Sequence, residues 1–273
     1  MEISFSVPLN HFYVVVDSAT YKAIEADDFL RAHFAVSEQR TTVRTDRTYT
    51  GVYFYGVDTY FEFFDVAQES GRRVGDTGVA FGVDQPGALQ AIEKAPDSQF
   101  TILPQPITRQ FKGAQVPWFF MAVPRNPPSS SGLSCWMMEY HPRFLEEWNP
   151  VAGGRNSGIS RRQILQRYAA VLKKSHARPY LQDVVGLTMA LENATATRFV
   201  ELCQPLGYRS SREGDAILLD GPEVRLRLIP ETDSARGIRE ITVRVKGKPK
   251  QTEYRFGRSA LRFAEGGLAI WSV

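Results

Sequence analysis

Three side chains in the first half of the chain have the type and setting for ligand or acid–base chemistry. His11 lies in the apolar run LNHFYVVV, Glu62 in TYFEFFDV and Glu139 in WMMEYHP. An ionised carboxylate costs several kcal/mol to bury unless it is paired or metal-bound. A glutamate between aromatics therefore implies a partner. A lone histidine on an apolar strand is more often a satisfied core residue than a ligand, so His11 gains meaning only from company.

The elements that must position these residues are strands. Side chains alternate along a strand, so Tyr60, Glu62 and Phe64 share one face. Glu139 and His141 share a face if their strand persists to Pro142, Tyr13 shares one with His11, and Tyr53 and Tyr55 alternate with Phe54. The order of elements repeats. LNHFYVVV is followed by the helical stretch ATYKAIEADDFLRAHF and by the strands FAVSEQRTTV, YTGVYFYGV and TYFEFFDV. A second unit runs TGVAFGVD, the helix GALQAIEKA opened by Pro86-Gly87, QFTILPQPI, VPWFFMAVP and LSCWMMEYH, with RNPPSSSG as a long hairpin loop. A third unit starts near Asp183 with a helix capped in the Asn193–Thr197 region, and a fourth, lacking its helix, fills the C-terminus. Between the second and third units, SRRQILQRYAAVLKKSHARP has helical spacing, with Ser160 as cap and Pro179 as stop.

This pattern predicts an α+β fold of repeated β-α-β-β-β modules in cup-shaped mixed sheets. Residues 1–150 would form a first domain of two modules, 151–180 a connecting segment with an amphipathic helix, and 181–273 a second, degenerate domain. The charge follows the same division. From Arg155 onward there are 21 basic and 12 acidic residues, whereas the front part is net acidic. The basic residues are dispersed and no nucleic-acid motif is present, so a solvated surface is expected rather than a nucleic-acid partner. Two widely separated cysteines, Cys135 and Cys203, argue against a disulfide framework. With no signal-like N-terminus and no apolar run long enough to cross a bilayer, a cytoplasmic protein without membrane partners is expected. There is no nucleophile elbow, P-loop or dinucleotide fingerprint, so no nucleotide cofactor is expected.

NHFYVVVD, YFEFFDV, GVAFGVD and WMMEYHP, in paired β-α-β-β-β units, resemble the vicinal oxygen chelate superfamily of glyoxalases, bleomycin-resistance proteins and extradiol dioxygenases. The resemblance covers about the first 147 residues well and the remainder more loosely. It implies a cup around a divalent metal whose ligands come from the first and last strands of each unit: His11, Glu62 and Glu139 here. The fourth position falls near Gly78, which has no side-chain donor. The implied set is oxygen-rich and suits Mn²⁺, Mg²⁺, Ni²⁺, Fe²⁺ or Zn²⁺, with His141 as a further nitrogen. The second half departs from the pattern, with Leu187 at the position of His11 and Arg225 and Arg227 in place of a carboxylate. It would close over the first half or form a homodimer surface.

Two functions follow from the resemblance. One is a metal-dependent lyase or isomerase on a small oxygen-bearing substrate, with the metal as Lewis acid and Glu139 as general base. The other is a metal-free small-molecule binding or sequestration protein, its cup lined by Tyr13, Tyr53, Tyr55, Trp118 and Trp136. Gln105, Arg109 and His141 are further candidates for holding a polar ligand. His33 and His176 are read as residues at helix ends.

Overall fold

The computed structural model describes residues 5–128, 132–144, 160–172, 179–247 and 249–273. Its strands form two mixed sheets. In the first half, β1 (Leu9–Val16), helix α1 (Ser18–Ala26), β2 (Val36–Val43), β3 (Thr48–Tyr55) and β4 (Tyr60–Asp65) succeed one another. Then come β5 (Thr77–Gly82), helix α2 (Ala88–Glu93), β6 (Phe100–Ile102), β7 (Ile107–Phe111), β8 (Ala114–Pro124) and β9 (Leu133–Tyr140). In space the order is β2-β3-β4-β1-β5-β9-β8-β6, with β7 also on β8. β1 runs parallel to β4 and antiparallel to β5. A backbone bridge from Arg44 to Arg109 joins the end of β2 to β7, which curls the sheet into a nearly closed cup.

The second sheet is built from β10 (Leu181–Leu191), β11 (Arg209–Glu213), β12 (Ala216–Asp220), β13 (Arg225–Pro230), β14 (Gly237–Val245), β15 (Glu253–Phe256), β16 (Ser259–Phe263) and β17 (Leu268–Ser272). Its order is β11-β12-β13-β10-β14-β17-β16-β15. Helix α3 (Arg161–Leu172) lies between the two halves of the chain, and helix α4 (Asn193–Cys203) follows β10.

Local chemistry sets several of these boundaries. The Asp17 carboxylate accepts from the N–H groups of Ala19 and Thr20 and so starts α1. The helix expected to run on to Phe34 instead stops at Ala26 and resumes as a π turn, Leu30–Phe34. Asp27 causes the restart, because its carboxylate accepts from the Leu30 N–H at 2.8 Å. Ser160 caps α3 through the Gln163 N–H at 3.4 Å. Glu192, not a small polar residue, holds the N-cap position of α4 and makes no side-chain cap bond. QFTILPQPI does not form one strand, because the Pro104–Pro106 turn splits it into β6 and β7. Residues 129–131 of the RNPPSSSG loop, most of the connecting segment outside α3, and His176 lie outside the described residues.

The two sheets pack through their apolar faces. Phe54, Phe61 and Phe63 surround Trp271 of the second sheet, with ring centroids 5.1–5.7 Å away. Leu187 belongs to this shared core rather than to the face that would match His11. Ion pairs stitch the seam. Buried Arg161 reaches Asp84, Glu223 and the Leu9 carbonyl, and Arg236 pairs with Asp76 and Glu231. On the opposite face of the second sheet, Arg225 and Arg227 pair with Asp220 and Glu213. No helix among the described residues is long and apolar enough to cross a membrane.

Candidate functional site

The alternation of β4 turns Tyr60, Glu62 and Phe64 away from the shared core and into the cup of the first sheet. β1 places His11 beside Tyr60 and Tyr13 beside Glu62. His11 and Glu62 therefore meet, with Nε2 of the imidazole 3.8 Å from a carboxylate oxygen. Both are almost completely buried. The His11 ring stacks on Tyr60 at 4.4 Å and meets Trp136 edge-on at 5.3 Å. Its Nδ1–H donates to the Asn10 side-chain oxygen at 2.8 Å. That bond leaves the Nε2 lone pair pointing toward Glu62.

Around this pair lies a small cavity of about 20 Å³, enough for one water-sized occupant. Tyr13, Tyr49, Trp118, Phe119, Trp136 and Met138 form its walls, and Arg44 and Arg47 stand among them. The charge states follow from this setting. Burial, with Arg44 and Arg40 adding to it, drives the His11 pKa down to about 3. Burial raises Glu62 to about 7 against the pull of Arg40, Arg47 and Arg44. Near neutral pH the imidazole is uncharged and accepts at Nε2, while the carboxyl is poised to take or give a proton.

Glu139 does not join them. β9 turns Trp136, Met138 and Tyr140 into the cup and Cys135, Met137 and Glu139 to the opposite side. The Glu139 carboxylate accepts from the N–H groups of Gly87 and Leu89, at 2.9 and 3.1 Å, and so holds the start of α2. It is satisfied there and cannot reach His11 or Glu62. β9 ends at Tyr140, so His141 lies just beyond the strand that was expected to carry it, and it stands on the side away from the cup. Its ring packs near Phe120 and its Nδ1 accepts from the Arg143 N–H. Gln105 is exposed in the turn between β6 and β7 and does not reach the cavity.

The other aromatic candidates do face the cup. Tyr13 lines the cavity and donates to Ser134 at 3.3 Å. Tyr53 is fully buried, with the Arg40 guanidinium 4.1 Å from its ring. Tyr55 donates to Glu38 at 2.6 Å and accepts from Arg40 at 3.1 Å. Helix α3 covers this part of the cup. Tyr168 stacks on Tyr55 at 4.9 Å, and Ile164 and Leu165 pack in the same cluster. Sequence reasoning missed Arg40, Arg44, Arg47, Tyr49 and Tyr168. The recurring arginines of QRTTVRTDRTYT, ahead of the tyrosine-rich β3, were the available signal.

The donor set does not fit a resident divalent metal. Among the described residues no group of three or more His, Cys, Asp or Glu side chains could hold one. His11 and Glu62 supply two donors, with arginines close by. The empty side of Gly78 is also filled, since a Cβ there would lie 2.1 Å from the Tyr13 ring and 2.8 Å from Trp136.

Comparison with known proteins adds fold and family. No curated protein sequence matches the chain. A hypothetical protein from Staphylococcus aureus is similar in structure, with a TM-score of 0.51 at 11% identity over 96% of this chain and 97% of that one. A xylose isomerase-like TIM barrel/4-hydroxyphenylpyruvate dioxygenase fusion protein matches at a TM-score of 0.42 and 10% identity, over 86% of this chain and 35% of that one. The first likeness shows a shared fold. A family model described as "Family of unknown function (DUF5829)" matches residues 9–273, and the chain belongs to that family.

Proposed function

We propose that this is a vicinal-oxygen-chelate-type protein, built of β-α-β-β-β modules, that binds a small oxygen-bearing molecule in the cup of its first sheet. The observation carrying this reading is the pairing of neutral His11 with Glu62 at the base of an aromatic-walled cavity flanked by Arg44 and Arg47. The Nε2 lone pair accepts a hydrogen bond from the ligand. Glu62 donates to a carbonyl oxygen when protonated and accepts a proton when ionised. The aromatic walls favour a flat ligand, which must part them because the cavity as it stands holds no more than a water-sized occupant. The second half carries no equivalent carboxylate on β13 and serves as packing support for the first.

Binding without a resident metal is the reading the donor set favours. A metal-dependent lyase or isomerase remains the second reading, because His11 and Glu62 face each other at 3.8 Å. Thermal unfolding of chelator-treated protein with a panel of small keto acids and catechols, beside elemental analysis for metals, tests both. Stabilisation that survives chelation and disappears in Glu62→Ala supports the proposal. Stabilisation that needs an added divalent ion supports the second reading. No stabilisation by any compound, with or without metal, refutes binding at this site.

A further inference from the structure

Arg109 is the unusual charge of this fold. Its side chain is buried, with 7% relative exposure. Three other inward-turned arginines have carboxylate partners: Arg40 has Glu38, Arg161 has Asp84 and Glu223, and Arg236 has Asp76 and Glu231. Arg109 has none among the described residues. Its guanidinium sits 4.9 Å from both the Trp118 and Phe144 rings and makes one side-chain hydrogen bond, Nη1 to the Tyr168 hydroxyl at 3.0 Å. Its Nε–H is buried without an acceptor, and so is the nearby Trp118 indole N–H. A guanidinium has five donors and no acceptor, and leaving it buried without a counter-charge is strongly unfavourable. Evolution of a stable core alone would favour an apolar residue here.

What Arg109 does hold is instructive. Tyr168 is a planar ring, stacked 11° from parallel on Tyr55, with an oxygen at its far end on the guanidinium. A second guanidinium, Arg40, lies 5.2 Å from the same ring. Glu38 is nearby, but it is engaged by both Arg40 and Tyr55. An aromatic ring ending in a negatively charged, bidentate oxygen group would satisfy Arg109 better than a phenol does. We infer that the place filled by the Tyr168 ring is a binding site for a planar aromatic carboxylate, with Arg109 as its anion receptor and helix α3 as the segment the ligand displaces. This rests on the reading that the first sheet's cup is the binding site, but Arg109 and Tyr168 do not line the His11–Glu62 cavity, with which the site shares the wall residue Trp118.

Removing the Tyr168 ring leaves a hole of the order that takes up benzene in other proteins, ~150 Å³. The test is calorimetric titration of Tyr168→Ala with benzoate and with its neutral isostere benzamide. Arg109→Gln and Glu62→Gln are each added in that background. Binding of benzoate at least tenfold tighter than benzamide, with the preference abolished by Arg109→Gln and kept in Glu62→Gln, supports the inference. Absence of benzoate binding, or an unchanged preference in Arg109→Gln, overturns it. Binding lost in Glu62→Gln but kept in Arg109→Gln also overturns it, while sparing the His11–Glu62 reading. If Tyr168→Ala does not unfold cooperatively, hydrogen exchange on the wild type decides. Benzoate should accelerate exchange across residues 161–172 where benzamide does not, and equal exchange with the two compounds overturns the inference.

Discussion

Replacing Glu62 by glutamine gives a direct physical test of the site. The two side chains have nearly the same shape, so the variant differs from wild type mainly in being unable to ionise. Burial raises the Glu62 pKa from its ordinary 4.5 to about 7. A group whose folded pKa is raised binds its proton more tightly in the folded state. Its contribution to stability is fully present below pH 4.5 and is lost as pH rises through about 7. At about 1.4 kcal/mol per pK unit, the loss amounts to about 3 kcal/mol by pH 9. His11 acts in the opposite sense, because its folded pKa is lowered and its contribution is lost as pH falls from 6.5 toward about 3. His11 is common to both proteins and cancels in their difference. Urea unfolding at pH 5, 7 and 9 therefore has a definite expectation. Glu62→Gln should exceed wild type by less than about 1 kcal/mol at pH 5, and by about 3 kcal/mol at pH 9. A difference that stays flat with pH would refute the argument that burial dominates at Glu62. A difference of opposite sign would mean that the ionised carboxylate is held by Arg44 and Arg47, or by a cation, more strongly than burial opposes it.

Two other substitutions separate structural from site roles. Glu139→Gln turns one acceptor oxygen into an amide facing a backbone N–H. It should cost about 1–2 kcal/mol in chemical unfolding while leaving ligand stabilisation in the cup unchanged. Loss of ligand stabilisation there would contradict the placement of Glu139 outside the cup. Gly78→Ala puts a methyl 2.1 Å from the Tyr13 ring, which should cost about 1–3 kcal/mol by overpacking and shift the fluorescence of Trp136. A fully stable variant with unchanged fluorescence would show that the position has room for a side chain.

The sequence by itself determined relations along single strands. Alternation gave Tyr60, Glu62 and Phe64 a common face and paired Tyr13 with His11, because strand side chains repeat every two residues whatever surrounds them. It also marked Ser160 as a helix start, since a short polar side chain before an amphipathic run answers free N–H groups locally. Alternation put Glu139 on one face of its strand, but it could not say which side that face would meet, nor that the strand would end at Tyr140, before His141. That choice belongs to the packing of one sheet against another: Met138 and Tyr140 fill the cup, so Glu139 turns toward α2. Nor could alternation find Arg44 and Arg47, which enter the site from the end of a hairpin, or Tyr168, which arrives from a helix about a hundred residues after β4. Whether the carboxylate of Glu62 has a metal, a histidine or an arginine beside it is decided by which strands curl together. Contacts between residues so distant in sequence leave no periodic trace in it.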